Sequence, residues 1–264
     1  MKQPGAGHLA LIALLVSSTS CAAHRFALPT GDHVPATEGA ARFDEATRAC
    51  RAVHSYSSTL TVSGRVDGRN IPKLTVFAGA TSDGGIYLDA KYAQAPVFTL
   101  GGTTERTTLV LQRDNTTLTA PAADVLDALV NLDLTPARWL ALMTGCVTSG
   151  PSAGVLASDR YGDRLVVTLT DAVVVLAPLA ASWRITGARF DHLTVQYDAA
   201  VGEWPARWTL MSEAGAGASV ELDVSAADPL ANDPRVTTAG FAVTPPAGAT
   251  TITIEQLRAK KFGK

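Results

Sequence analysis

The feature that most limits the fold of this chain is a change of hydrophobic period near residue 57. From there apolar and polar residues alternate, as on strands whose successive side chains point to opposite faces. Leu60, Val62 and Val66 alternate with Thr, Ser and Arg. Leu74, Val76 and Ala78 follow, then Ile86, Leu88, Ala90 and Tyr92. Val97 to Leu100, Thr107 to Gln112 and a shorter run around Leu118 continue the series. Turn signals separate the runs: Asp67-Gly68, Asp83-Gly84-Gly85, Gly101-Gly102 and Asp114-Asn115. Asp-Gly between alternating runs signals a hairpin, because both residues tolerate the positive φ of a tight turn. Residues 57–120 are therefore expected to form an antiparallel meander of about six strands.

Helical spacing brackets this meander. Ala40 to Tyr56, with Phe43, Ala46, Cys50 and Val53 three and four apart, reads as an amphipathic helix. Asp44 and Glu45 fall in its first turn, as solvated charges favouring the helix dipole. After Pro121, Val125, Leu126, Leu129 and Val130 share one side of a second helix. Thr135-Pro136 is an N-cap and N1 pair for a third, which carries Trp139, Leu140, Leu142 and Met143 and stops at Gly145. Residues 147–160 read as a Ser/Gly/Pro loop. Strand patterns resume at Leu165, Val173, Trp183, His192, Arg207 and Val220. No repeat and no second domain boundary is evident, since strands continue on both sides of the helical insert.

The N-terminus carries an address. A polar start with one lysine, Lys2, leads into eight apolar residues, Leu9 to Val16, then Ser17 to Ser20 and Cys21. Spanning a bilayer takes about 20 apolar residues. A short apolar run followed by small residues is the pattern of a cleaved export signal. Small residues directly before a cysteine make the segment resemble a bacterial lipoprotein signal, although Ser18 stands where that motif usually has Leu. The resemblance implies lipidation of Cys21 after removal of residues 1–20; the alternative is ordinary cleavage near Ala22 or Ala23. Residues 21–38, punctuated by Pro29, Gly31 and Pro35, read as a flexible tether, and 39–264 as one domain. Ala22, rather than Asp, after the cysteine points to the outer membrane.

Composition excludes several classes. The formal charge is −2, becoming −3 once Lys2 leaves with the signal, which argues against nucleic acid as a partner. With Cys21 set aside, Cys50 and Cys146 form an even pair in an exported chain; a disulfide is expected, the alternative being two buried thiols. Gly150-Pro151-Ser152-Ala153-Gly154 spells a nucleophile elbow, but it follows a helix and runs into a strand, the reverse of the required context. His192 with Asp163 or Asp171 could complete a triad only by arithmetic. The five histidines show no metal-ligand spacing. The expectation is a protein that is not an enzyme, with no cofactor and no metal.

What remains is apolar surface between two groups of strands. Helical aliphatic stripes usually fill a core. The functional alternative is a lid over a curved sheet that encloses an acyl chain, whose burial is worth about 0.8 kcal/mol per CH₂. The order of elements is similar to the LolA/LolB-type superfamily of periplasmic lipoprotein carriers. So is the tail from Phe241 to Leu257, with Phe-x-Val, a Pro-x-Gly-Ala turn and Ile-x-Ile. Trp139 to Cys146, ending Leu-Met-Thr-Gly-Cys, looks like uncharacterised lipoproteins of that group. The resemblance implies a mainly β fold: a curved antiparallel half-barrel of about 11 strands with an N-terminal helix and a short helical lid. It implies an outer-membrane lipoprotein that binds a lipid or acylated lipoprotein on its concave face, in lipoprotein or lipid trafficking, as a monomer. The family's membrane-anchored member transfers cargo with an exposed apolar residue on a protruding loop; Tyr92 to Phe98 is apolar but has no Leu-tipped hairpin. The resemblance implies that the carriers' early-strand arginine would fall at Arg65 or Arg69. The expected lining is Leu60, Val62, Leu74, Val76, Leu88 and Leu109 from the sheet, and Leu126, Leu129, Trp139 and Met143 from the lid. The alternative is a structural or envelope-assembly lipoprotein without a ligand.

Overall fold

A computed structural model describes residues 26–148, 154–179, 182–212 and 219–260. The first meander forms as the alternation requires. Its strands are β2 (Ser55–Val66), β3 (Arg69–Thr81), β4 (Gly85–Tyr92), β5 (Ala95–Thr103), β6 (Thr107–Leu111) and β7 (Thr116–Ala120). A second meander follows: β8 (Val155–Tyr161), β9 (Arg164–Leu169), β10 (Ala172–Leu179), β11 (Ser182–Phe190), β12 (Leu193–Val201), β13 (Trp204–Ser212) and β14 (Val220–Ala231). Two-residue strands, β1 (Val34–Pro35) and β15 (Thr250–Thr251), close the edges.

All fifteen strands of the described residues belong to one open sheet, ordered β1-β8-β9-β10-β11-β12-β13-β14-β2-β3-β4-β5-β6-β7-β15. The half-barrel thus has more strands than the eleven or so expected. The seam between the two meanders is the β14–β2 pair, running from Val220↔Val66 to Ala231↔Tyr56. Every pairing is antiparallel except β15 on β7. Residues directly opposite in a ladder share a face, so apolar rows run across many strands. Leu88, Leu100, Leu109 and Leu118 form one. Val167, Val174, Ala188, Val195, Leu210 and Leu222 form another. Bulges at Val62/Gly64, Ala90/Lys91 and Val175/Leu176 add the local twist and bend that curve such a sheet.

The helices lie on the apolar face. They are α1 (Gly39–Arg51), α2 (Ala122–Val130) and α3 (Pro136–Thr144), with a short α4 (Ile254–Ala259) beside α2. The Thr135 hydroxyl accepts the Arg138 N–H at 3.2 Å, Pro136 opens the helix, and Gly145 ends α3 at φ +78°, as the capping residues predict. Cys50 and Cys146 are bonded, with Cα atoms 5.6 Å apart, joining the ends of α1 and α3.

Three local readings change. The first helix stops at Arg51, because Ser55 and Tyr56 already pair with Thr81 and Ala80. It starts at Gly39, so Asp44 and Glu45 lie past its first turn, paired with Arg51 and Arg42 at 2.9 Å. Of the loop assigned to 147–160, Val155–Tyr161 is a strand, held by β9 on one side and β1 on the other. The segment read as a tether, from Phe26 on, lies against the sheet. Val34 and Pro35 pair with β8, Ala36 donates to the Ser158 carbonyl at 2.8 Å, and His33 stacks on Tyr161 at 5.0 Å. Phe26 sits where a Cβ on Gly187 would be, so this close approach requires glycine there. Cys21 and the signal segment lie outside the described residues.

Alternate turns of a meander fall at the same end of the sheet. The distal end carries the β2–β3, β4–β5, β6–β7, β9–β10 and β11–β12 turns. The proximal end carries those of β3–β4, β8–β9, β10–β11 and β12–β13, together with β1.

Candidate functional site

The structure brings all ten expected lining residues to one side of the sheet and into one apolar cluster with α2 and α3. Register explains the sheet members: Leu60 faces Val76, Val62 faces Leu74, and Leu88 lies one row along from Val76 on the same face. Leu60, Val76, Leu88, Leu109, Leu126, Leu129 and Met143 are buried. Each contributes about 1.5–3 kcal/mol of transfer free energy. Val62, Leu74 and Trp139 are only partly buried. They gather at the distal end, where Val97, Phe98 and Val130 are also half-covered. The concave face is therefore sealed along most of its length by helices and has an apolar rim at the distal end.

Polar groups along this face are few. Burial holds the phenols of Tyr56 and Tyr197 well above the usual tyrosine pKa. Tyr197 donates to the Leu142 carbonyl at 3.0 Å, tying α3 to β12. The Tyr56 hydroxyl and the Trp139 indole N–H are buried without a hydrogen-bond partner among the described residues. An unpaired buried donor costs about 1–3 kcal/mol. Arg138, beside Trp139, latches the start of α3 to the distal turns. Its guanidinium lies 3.5 Å from the Asp191 carboxylate, 4.0 Å from Asp171, and 4.8 Å from the Phe190 ring centre. With the disulfide at its other end, α3 is pinned at both termini.

The convex face holds a feature the alternation did not reveal. The C-terminal segment crosses it, and a cleft of about 770 Å³ lies between that segment and β3–β6. Phe77, Tyr87 and Phe241 form its aromatic wall, Tyr87 stacking on Phe241 at 5.8 Å and meeting Phe77 edge-on at 6.1 Å. Asp233, paired with Arg235 at 2.6 Å, sits at its margin, and this pairing holds the Asp233 carboxyl down at about 2. A Cβ on Gly79 would press into the Phe241 ring at 2.7 Å. The available signal was Gly79 and Gly101 at outward positions of otherwise alternating strands, since an isolated strand glycine marks a close approach.

The residues considered for other chemistry form no triad among the described residues. Asp163 lies in the β8–β9 turn at the proximal end, while Asp171 and His192 occupy the β9–β10 and β11–β12 turns at the distal end. Ser152 lies outside the described residues. His192 borders a hollow of about 280 Å³ with Asp124, Asp127 and Asp133. Among the described residues no cluster of three or more His, Cys, Asp or Glu is placed to hold a metal. Arg65 and Arg69 fall beside the β2–β3 turn, flanking the distal rim. Tyr92 to Phe98 is a tight β4–β5 hairpin with Ala93 and Gln94 at its tip.

No protein-family model matches the sequence, and no curated protein sequence matches it. Solved structures do. A LolA superfamily protein from Nitrosomonas europaea is 12% identical with a TM-score of 0.50, covering 80% of this chain and 98% of its own. A DUF1329 family protein from Desulfovibrio piger is 8% identical with a TM-score of 0.46, covering 77% and 99%. The lipoprotein LppX of Mycobacterium tuberculosis is 11% identical with a TM-score of 0.32, covering 74% and 94%. At these identities the likeness is one of architecture: the chain has a LolA-like fold.

Proposed function

We propose that this protein binds a lipid or acyl chain between the concave face of its sheet and the α2–α3 layer. It does so as a lipid-anchored protein of the cell envelope, on the periplasmic face of the outer membrane, in lipoprotein or lipid trafficking. The reading rests on one observation: apolar rows cross the concave face from strand to strand, and at its distal rim Val62, Leu74 and Phe98 stay only partly buried. An acyl chain entering there would meet Val62, Leu74 and Phe98 and slide beneath Trp139. The buried Trp139 N–H supplies a donor for a carbonyl or ester oxygen. Because seven of the ten lining residues are already buried, deeper entry requires α2 to lift, α3 being pinned at both ends. Each CH₂ of a bound chain gains about 0.8 kcal/mol relative to water. Such a site needs no covalent chemistry.

That same burial favours the second reading, a scaffold whose concave face is filled by its own helices. Native mass spectrometry of the chain from Ala22 onward, purified without detergent, separates the two. Carriage of a co-purifying phospholipid or acylated peptide, lost in a Leu74→Asp variant that keeps its melting temperature, supports the carrier. A mass that stays bare after incubation with phospholipid and with a diacylated lipopeptide refutes it and leaves the scaffold.

A further inference from the structure

The cleft on the convex face has no part in the concave site, and its chemistry is different. Its floor crosses the sheet from Leu230 on β14, past Ser57, Phe77, Tyr87 and Thr99, to Val110 on β6. Five strand-to-strand spacings of about 4.8 Å make this floor about 24 Å long. The wall above it is the segment from Gly240 to Pro246, held at both ends. The Thr238 and Thr81 hydroxyls share a hydrogen bond of 2.7 Å on one side, and Thr250 donates to the Asn115 carbonyl at 3.0 Å on the other. Phe77 is 43% exposed and Leu230 46%, so an aromatic face and an aliphatic side chain stand in water, where a ligand that covered them would gain.

Charge narrows what that ligand can be. Among the described lining residues the only charged ones are Asp233 and Arg235, which neutralise each other at 2.6 Å. Asp89, beside the floor in the row Phe77, Asp89, Thr99, is paired with Lys91 at 3.2 Å. An anionic headgroup or a charged peptide finds no counter-charge to spare. Neutral polar groups are open instead. The Tyr87 hydroxyl and the backbone N–H and C=O groups of Val243 and Thr244 make no hydrogen bond among the described residues. The Gln112 amide donates to the Thr99 hydroxyl at 3.4 Å, and Thr99 donates to Asp89 at 3.1 Å, a polar chain beside the aromatic wall. Hydroxyl groups, which donate and accept at once, match such a mixed set. An extended peptide matches it less well, because Pro245 and Pro246 lack an N–H and leave only Val243 and Thr244 for strand pairing.

We propose that this cleft binds a neutral oligosaccharide. Its sugar rings lay their apolar C–H faces on Phe77 and Tyr87 and turn hydroxyls towards Gln112, Thr99 and the backbone of Val243 and Thr244. The length of the floor suits a chain of several rings. This site and the concave one lie on opposite faces of the sheet, so either can fail without the other.

The test titrates the chain from Ala22 onward with cellohexaose, chitohexaose and maltohexaose at millimolar concentration, read by methyl NMR. Methyl signals of Val110 and Val243 should move with at least one of them, while those of Leu60 and Leu126 on the concave side stay. Phe77→Ala removes an exposed ring and should weaken binding about tenfold. Gln112→Ala, at an exposed position, should weaken it about threefold and serves if the first variant melts early. Leu74→Asp on the concave side should leave it unchanged. No movement with any of the three saccharides overturns the proposal, as does equal affinity in a folded Phe77→Ala or Gln112→Ala variant. A mixture of random decapeptides that moves the same signals when the saccharides do not also overturns it, and assigns the cleft to peptides.

Discussion

Removing the Cys50–Cys146 bridge should cost more stability than any other two-residue change away from the sheet core. The bridge closes a loop of 96 residues in sequence separation. Chain-entropy reasoning for a loop of that size gives an upper value of about 4.7 kcal/mol, and bridges in practice deliver about 2–4 kcal/mol. For a chain of this length each kcal/mol is worth about 2–4 °C in Tm, so a loss of about 3 kcal/mol lowers Tm by about 6–12 °C. Cys50 and Cys146 are 8% and 6% exposed and pack with Ala141 against Trp204, so Cys50→Ala with Cys146→Ala removes packing as well as the link. Calorimetry of oxidised wild type, reduced wild type and the double variant separates the two contributions. The reduced protein should account for most of the loss. Hydrogen exchange should rise first at residues 140–148, where α3 is released from α1, and last in β4. A reduced protein that melts within 2 °C of the oxidised one would refute the argument, since it would mean that other contacts already hold the helix ends together.

Three further outcomes follow from particular residues. Tyr56→Phe should stabilise by about 1 kcal/mol, because it deletes a fully buried hydroxyl without a partner among the described residues; a loss of that size in chemical denaturation would show that the hydroxyl is satisfied. Gln94→Gly should stabilise by about 0.5–1 kcal/mol and raise the denaturation midpoint, since Ala93 and Gln94 both hold positive φ at a two-residue turn; an unchanged or lower midpoint counts against the turn. The hydrogen-bonded Arg235 guanidinium holds the Asp233 carboxyl down at about 2, below the ordinary carboxylate range, so its native carboxylate supports folding above the ordinary pKa and loses that support as pH falls from about 4 towards 2. Carbon-detected NMR should show its midpoint rise towards the ordinary value in Arg235→Ala, and an unmoved midpoint would remove Arg235 as the cause.

Much of the architecture was legible because burial on one face leaves a period of two in the sequence. All six strands of the first meander, the α3 cap at Thr135 and the stop at Gly145 follow from local chemistry that tertiary contacts did not override. The failures are equally physical. Val155–Tyr161 carries Ser, Asp and Arg and alternates poorly, because Ser158 and Arg160 face Ala36 and Glu38 in place of an apolar core. Phe26 to Pro35 has the composition of a linker, yet it docks through two aromatic contacts and a two-residue strand, a signal too sparse for periodicity. The six sheet residues expected to line the site could be assigned to a face by their phase. Whether a helix covers them depends on long-range placement, which no spacing encodes. The convex cleft escaped because Phe77 and Tyr87 sit in the phase otherwise given to polar residues.

The seam between β14 and β2 has a consequence for the order of events in the life of the chain. Leu60 pairs with Ala226 and Val62 with Val224, so the centre of the sheet is also its longest-range contact. Until β14 arrives, the twelve-residue β2 offers an unpaired edge, the kind of edge on which chains aggregate. Pairings this distant in sequence form slowly, because loop closure is paid before any contact rewards it. The first meander can assemble early, but the curved sheet is completed only when residues beyond 220 have been delivered. A transport route that threads the polypeptide unfolded and releases it on the far side suits such a molecule, because its two halves meet only after the whole chain has crossed.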